Sequence, residues 1–196
     1  LKYRPDLDGL RAVAIIPAVF FHAGIGLSGG FVGVDIFFVI SGYLLSSIVM
    51  TEIAEKRFSF LAFYERRIRR LAPALVVMLA FCFPAAWLLM LPNDITDFAR
   101  SALATIFIFA NFHFYNSIDY FSQSAELMPL LHTWSLAIEE QFYAVLPIAL
   151  LTAGYLFPRR WLPGLIALAL VASLALCIHY TSAYRPFAFY MPHTRA

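Results

Sequence analysis

The sequence predicts an all-α fold: a polytopic helical bundle in a membrane, with about six spans, the start of a seventh, and one segment that is re-entrant or broken. Three observations predict it. Of the 196 residues only 13% are charged, where a soluble domain carries roughly 25%. Mean hydropathy is +0.77. The apolar residues also fall in blocks close to the ~20 residues that cross a bilayer, a length that a soluble core does not need.

The elements follow in order. Residues 1–9, LKYRPDLDG, are polar, and Asp6 or Asp8 can cap a helix start. Residues 10–27 form a first span, kinked at Pro17 as membrane helices tolerate. GLSGG breaks the chain, and residues 31–50 form a second span. Residues 51–70 carry six basic and three acidic residues among Phe58, Leu61 and Ala62, a pattern for an amphipathic segment on the membrane surface. A third span covers 71–91, PNDITD breaks it, and 98–115 is a fourth. A polar loop with Asp119 and Glu126 leads to a fifth span, 132–151. PRRWLPG separates that from a sixth, 164–181, and the tail 186–196 reads as the approach to a seventh.

Basic residues orient membrane proteins toward the cytoplasm. Lys2, Arg4 and Arg11 place the N-terminus there, and the arginine-rich 56–70 segment follows after two spans. Arg159 and Arg160 ask for the same side, while the acidic loops 92–97 and 116–131 ask for the other. Strict alternation cannot satisfy all four. Hence 98–115 or 132–151 is expected to be re-entrant or broken.

The net charge of +2 gives no nucleic-acid footprint. Cys82 and Cys177 lie in apolar blocks, which argues against a disulfide framework, and no metal-ligand spacing is present. Gly24, Gly26 and Gly29 match GxGxxG, but they join two spans and follow no strand, so the match is noise. No P-loop occurs, and GLSGG at 26–30 fits GxSxG only as the break between two spans, where it follows no strand.

Ionisable residues within spans are functional hypotheses, because hydrocarbon penalises them by ~2.5–3.5 kcal/mol each. Arg11 and His22 share one face of the first helix, three turns and ~16 Å apart. A histidine there is either a general base or helix glue bonded to a backbone carbonyl. Asp35 either orients His22 or sits as an interfacial charge. Arg66, Arg67, Arg69 and Arg70 form i,i+3 pairs that fit phosphate geometry or, more blandly, lipid headgroups. In HTWSLAIEEQFY, His132, Ser135 and Glu139 share a stripe with Phe142 or Tyr143. Glu140 points elsewhere and fits a solvated helix start.

Motifs then add to this reading. YRPDLDGLRAVAI, FFHAG, GGFVGVDIFFVISGYLL, FYERRIRRLAPAL, LLHTWSLAIEEQFY and FYMPHTRA occur in that order. The ordered set closely resembles the acyltransferase-3 family of bacterial membrane O-acyltransferases, over essentially the whole chain. The resemblance implies transfer of an acyl group, commonly acetyl, from cytosolic acyl-CoA to a sugar hydroxyl of an envelope or exported glycan such as lipopolysaccharide, peptidoglycan or exopolysaccharide. It implies a multi-pass protein of the bacterial cytoplasmic membrane and a domain of about ten spans. Residues 1–196 then correspond to its N-terminal portion, truncated at the C-terminus. Carried over by motif, His22, Glu139 and Asp35 are the candidate catalytic residues: His22 as base or transient acyl carrier, with Glu139 or Asp35 orienting it. Arg67 and Arg70 would clamp the phosphates of acetyl-CoA, and Arg11 would bind its pantetheine arm or an oxyanion. No metal is implied. The rival class is a transporter or flippase for an acyl or glycan-lipid substrate, which has no need of a phosphate clamp.

Overall fold

The computed structural model describes residues 4–117 and 128–195. Lys2 and the loop residues Asp119 and Glu126 lie outside the described residues. Among the described residues the chain is helical, without strands. It divides into two compact units: the chain through Phe58 together with Leu146–Thr152, and Ser59–Val145 together with the residues from Ala153 onward.

The first unit is built on helices α1 (Pro5–His22) and α2 (Gly33–Ala54). Pro5 opens α1 because its fixed φ suits a first helical turn and its missing N–H has no partner there anyway. Asp6 and Asp8 do not cap α1 as the sequence led us to expect; they sit inside its first turn, at the positive end of the helix dipole, and Arg4 takes the cap position. The linker turns through Gly24 and Gly26, both at positive φ (67° and 74°). A single 3-10 turn, Gly30–Val32, then leads into α2.

Two glycines let the helices of this unit meet. A Cβ on Gly30 would strike the Pro17 carbonyl, and one on Gly33 would strike the Ala14 carbonyl and come within 3.2 Å of Ala18 Cβ. Small residues at such positions bring membrane helices into backbone contact.

The second unit begins with α3 (Phe60–Leu89), capped by Ser59, whose Oγ accepts from the Ala62 N–H at 3.5 Å. The sequence suggested a surface segment to residue 70 and a separate span from 71. Instead one 30-residue helix carries both. Nothing between Arg66 and Leu75 breaks it except Pro73, which membrane helices absorb. Next come α4 (Pro92–Ile106), α5 (Ala110–Asn116), α6 (Thr133–Leu156), α7 (Leu162–Ala183) and α8 (Arg185–Tyr190). The core of this unit gathers Leu79 and Ala86 of α3, Phe98 and Ala102 of α4, Phe114 of α5 and Ala137 of α6.

Among the described residues, four stretches are long and apolar enough to cross a membrane: Gly30–Ala54, Phe60–Leu89, Thr133–Leu156 and Leu162–Ala183. The other expected spans differ for physical reasons. Helix α1 holds Asp6, Asp8 and Arg11 within its 18 residues, which lowers its hydropathy. The segment 98–115 is broken between α4 and α5, where Ile108 adopts φ 64°. At 15 residues, α4 rises only ~22 Å, short of a ~30 Å hydrocarbon core. The tail forms α8 and a 3-10 turn, Pro192–Thr194, in place of a long helix. It is tied back by Thr194 Oγ1 donating to the Ala188 carbonyl at 2.9 Å and by Asn111 Nδ2 donating to the Tyr190 carbonyl at 3.1 Å.

Candidate functional site

In the second unit, the arginine cluster on α3 faces the paired carboxylates on α6. Arg67 Nη2 donates to Glu140 Oε1 at 3.3 Å, and the two side chains are only 14% and 12% exposed. The Arg67 guanidinium also lies over the Tyr143 ring, 3.8 Å from its centroid. Tyr143 in turn donates its hydroxyl to Glu139. Both acidic residues of the EEQFY motif are thus engaged, through two different partners. The Arg67 Nε atom is buried and has no hydrogen-bond partner among the described residues.

This corrects the reading of Glu140 as a solvated helix start. Helix α6 begins at Thr133, with no acidic residue in its first turn. Glu140 is therefore beyond the reach of the positive dipole end, and a buried carboxylate there needs a cation. Its partner Arg67 is 73 residues away in sequence. Among the other arginines, Arg69 is engaged by Glu65 at 2.7 Å, both exposed. Arg70 is exposed on α3 and stays within electrostatic range of Glu140.

Beside the Arg67–Glu140 pair is a cavity of about 160 Å³. Leu71 and Leu75 of α3, Ile106 and Ile108 of the α4–α5 break, and Leu136 and Glu140 of α6 are among its walls. Gln141, next to Glu140, fixes that break: its Nε2 donates to the Ile108 carbonyl and to Asn111 Oδ1, both at 2.8 Å. Asn111 is fully buried. Sequence reasoning missed Gln141 and Asn111 as partners. A polar pair near the ends of two apolar segments was the available signal.

The remaining candidates belong to the first unit. His22 ends α1 and is exposed; its Nδ1 lies 2.7 Å from the Ala18 carbonyl. A carbonyl can only accept, so Nδ1 carries the hydrogen. In the neutral ring Nε2 then keeps its lone pair and can take a proton. The bond expected of helix glue is present, and it also sets the tautomer that a general base needs. Arg11 reaches Asp8 at 3.5 Å and lies over the Phe37 ring at 5.6 Å. Asp35 is half-buried in the first turn of α2. No group of three or more His, Cys, Asp or Glu residues able to hold a metal occurs among the described residues.

Comparison with known proteins decides the family. Residues 4–194 match the family described as acyltransferase domain. The chain belongs to that acyltransferase family. It is 38% identical over 199 residues to O-acetyltransferase OatA of Staphylococcus aureus strain NCTC 8325, covering 99% of this chain and 33% of the relative. It is 40% identical over 169 residues to SAS0844 of S. aureus strain MSSA476, provisionally named an O-acetyltransferase, covering 85% of this chain and 28% of that protein. The chain therefore spans about a third of the length of the curated relatives it matches. No solved structure matches. Of the two arginines in this RxxR, Arg67 is paired with Glu140 and packed on Tyr143, and Arg70 is exposed.

Proposed function

We propose that this chain forms part of a membrane O-acyltransferase that moves an acyl group, acetyl foremost, from cytosolic acyl-CoA to a sugar hydroxyl of an envelope or exported glycan. The observation that carries the reading is the match to the acyltransferase domain over residues 4–194. The names of the O-acetyltransferase relatives support it.

In this proposal His22 Nε2 takes the proton of the acceptor hydroxyl as its oxygen attacks the thioester carbonyl. The tetrahedral oxyanion collapses, the C–S bond breaks, and the CoA thiolate leaves and recovers the proton. Asp35, in the same unit as His22, is the proposed carboxylate that favours the imidazolium. Arg11 is the proposed cation for the oxyanion or for polar groups of the pantetheine arm. Arg70 contacts a CoA phosphate, while Arg67, held by Glu140 and Tyr143, shapes the entrance. Glu139 fixes Tyr143 under Arg67. We place the protein in a bacterial cytoplasmic membrane with a cytoplasmic N-terminus, with α1 inserted as a further span and α4–α5 re-entrant.

The test uses membranes holding the full-length protein and acetyl-CoA labelled on its acetyl group. Alkali-labile label should enter glycan, and His22→Ala at equal abundance should abolish it. Undiminished label in the variant removes His22 from the chemistry. Glycan acylation that proceeds without any CoA donor favours the transporter class.

A further inference from the structure

We propose that Tyr64 is a positioning residue for the CoA entrance: its hydroxyl clasps α6 where Pro147 opens the helix, and so holds Glu140 and Tyr143 in register with Arg67. The inference rests on the acyl-transfer reading above and gives a role to a residue which that reading leaves unused.

Register comes first. Tyr64 donates its hydroxyl to the Ala144 carbonyl at 2.9 Å, Arg67 Nη2 donates to Glu140 Oε1 at 3.3 Å, and His132 Nε2 lies 3.3 Å from Met78 Sδ. Residue numbers rise along α3 as they fall along α6, so the two helices run antiparallel. Tyr64 and Arg67 are three residues apart on α3, and Glu140 and Ala144 are four apart on α6, which is one turn in each helix. The Tyr64 bond is therefore the rung next to the ion pair.

That rung meets α6 at its weakest turn. Pro147 lies inside α6 and is fully buried. It has no N–H, so the Tyr143 carbonyl four residues back lacks its helical donor, and the proline ring presses on that carbonyl. Helix kinks concentrate at such prolines. Thr133–Leu156 is apolar enough to cross a membrane, and in lipid a loosened backbone has no water to turn to. The Tyr64 hydroxyl bonds the next carbonyl along, that of Ala144. A donor from α3 thus supports the turn that α6 cannot close with its own backbone.

The clasp is itself held in place. The Tyr64 ring stacks on Phe60 at 6.4 Å with 19° between the planes, and it meets the buried Phe63 edge-on at 5.2 Å. A side chain fixed beforehand loses little freedom on making its bond.

Tyr143 is what the clasp controls. The Arg67 guanidinium lies 3.8 Å from the centroid of its ring, and its hydroxyl donates to Glu139. Its carbonyl is the one that Pro147 leaves without a donor. Any change of bend at this turn shifts the ring that supports Arg67, and the Tyr64 rung opposes that shift.

The experiment uses the full-length protein in membranes, with acetyl-CoA as donor. Tyr64→Phe keeps the ring and removes the hydroxyl. It should raise KM for acetyl-CoA by about three- to tenfold, the effect of one net hydrogen bond, and change kcat by less than about twofold. Pro147→Ala returns a donor to the Tyr143 carbonyl, and in that background Tyr64→Phe should change KM by less than about twofold. An unchanged KM in Tyr64→Phe, or fold-changes that simply multiply in the double variant, overturns the clasp and leaves the acyl-transfer reading standing. Hydrogen exchange in detergent gives a readout that needs no CoA. Tyr64→Phe should speed exchange over residues 143–148 and leave 134–138 as in the wild type; unchanged exchange over 143–148 overturns the clasp. A wild type that uses no CoA ends the acyl-transfer reading, and the exchange result then decides the clasp.

Discussion

Arg67 Nη2 stands 3.3 Å from Glu140 Oε1, with both side chains more than four-fifths buried. This pair joins the arginine-rich end of α3 to the EEQFY segment of α6. Removing one member leaves an uncompensated charge in an apolar setting, a loss of about 3–5 kcal/mol, whereas replacing both by apolar residues is far milder. Thermal unfolding in detergent should therefore rank Arg67→Ala and Glu140→Leu well below the double variant Arg67→Met/Glu140→Leu. A double variant as unstable as the sum of the singles would contradict an ion pair here. Arg67→Lys should fall between, because lysine lacks the planar group that stacks on Tyr143 at 3.8 Å.

The contact between α1 and α2 depends on two missing methyl groups. Gly30→Ala and Gly33→Ala would push a Cβ onto the carbonyls of Pro17 and Ala14. Overpacking of this kind costs about 1–3 kcal/mol. Gly9→Ala is the control, with nothing within 4 Å of its added Cβ, and it should be neutral or stabilise the helix by ~0.5–1 kcal/mol. Melting temperatures of the three variants side by side check this; equal values for all three would refute the close approach.

Gln141→Leu keeps the volume and removes the amide. The Ile108 carbonyl loses its donor, and the fully buried Asn111 loses the donor to its Oδ1. Each buried group left unsatisfied costs about 1–3 kcal/mol. Hydrogen exchange should rise locally over residues 106–112, with α7 unaffected. Unchanged protection there would mean that the α4–α5 break holds its shape without Gln141.

The polar turn ahead of the apolar stretch of α1 carries a pH-sensitive pair. Arg4 Nη2 bonds Asp6 Oδ2 at 2.6 Å, and that bond holds the Asp6 carboxyl below its ordinary range. A depressed carboxylate stabilises the fold above its unfolded pKa, and the contribution disappears as pH falls through the folded pKa. Wild type and Asp6→Asn should therefore differ modestly near neutral pH and converge as the pH falls through the lowered Asp6 pKa, below the ordinary aspartate range. Both side chains are more than half exposed, so high salt should shrink the difference. A gap that persists at low pH would assign the effect to something other than the carboxylate charge.

Some of this was legible in sequence. Hydropathy located Gly30–Ala54, Thr133–Leu156 and Leu162–Ala183 because a lipid-facing helix must be apolar all round, and that shows locally. The conflict among Arg159, Arg160 and the acidic loops called for a broken segment, and one lies between Ile106 and Ala110. The assignment between Glu139 and Glu140 was not legible. A helical stripe tells which way each carboxylate leaves its own helix, but the choice depends on what stands opposite, and Arg67 arrives from 73 residues away. Ile108 was equally hidden, because a β-branched residue advertises extended or helical backbone and not the left-handed region it occupies. The continuity of α3 was missed because the change from charged to apolar residues around Leu71 looked like a boundary. Helix hydrogen bonds pass through such a change of solvent without interruption.

That continuity has a mechanical consequence. Helix α3 is one rod of 30 residues, ~45 Å long, against a hydrocarbon layer of ~30 Å. Its apolar part seeks the lipid, and its first three turns carry the arginines on the same shaft. How deep the shaft sits and how high Arg70 stands above the headgroups are then a single variable. A thicker bilayer draws the shaft inward or straightens its tilt, and a thinner one lifts the arginines away from the surface. Bilayer thickness thus becomes a dial on the height of this cationic group, turned by lipid composition without a change in any residue.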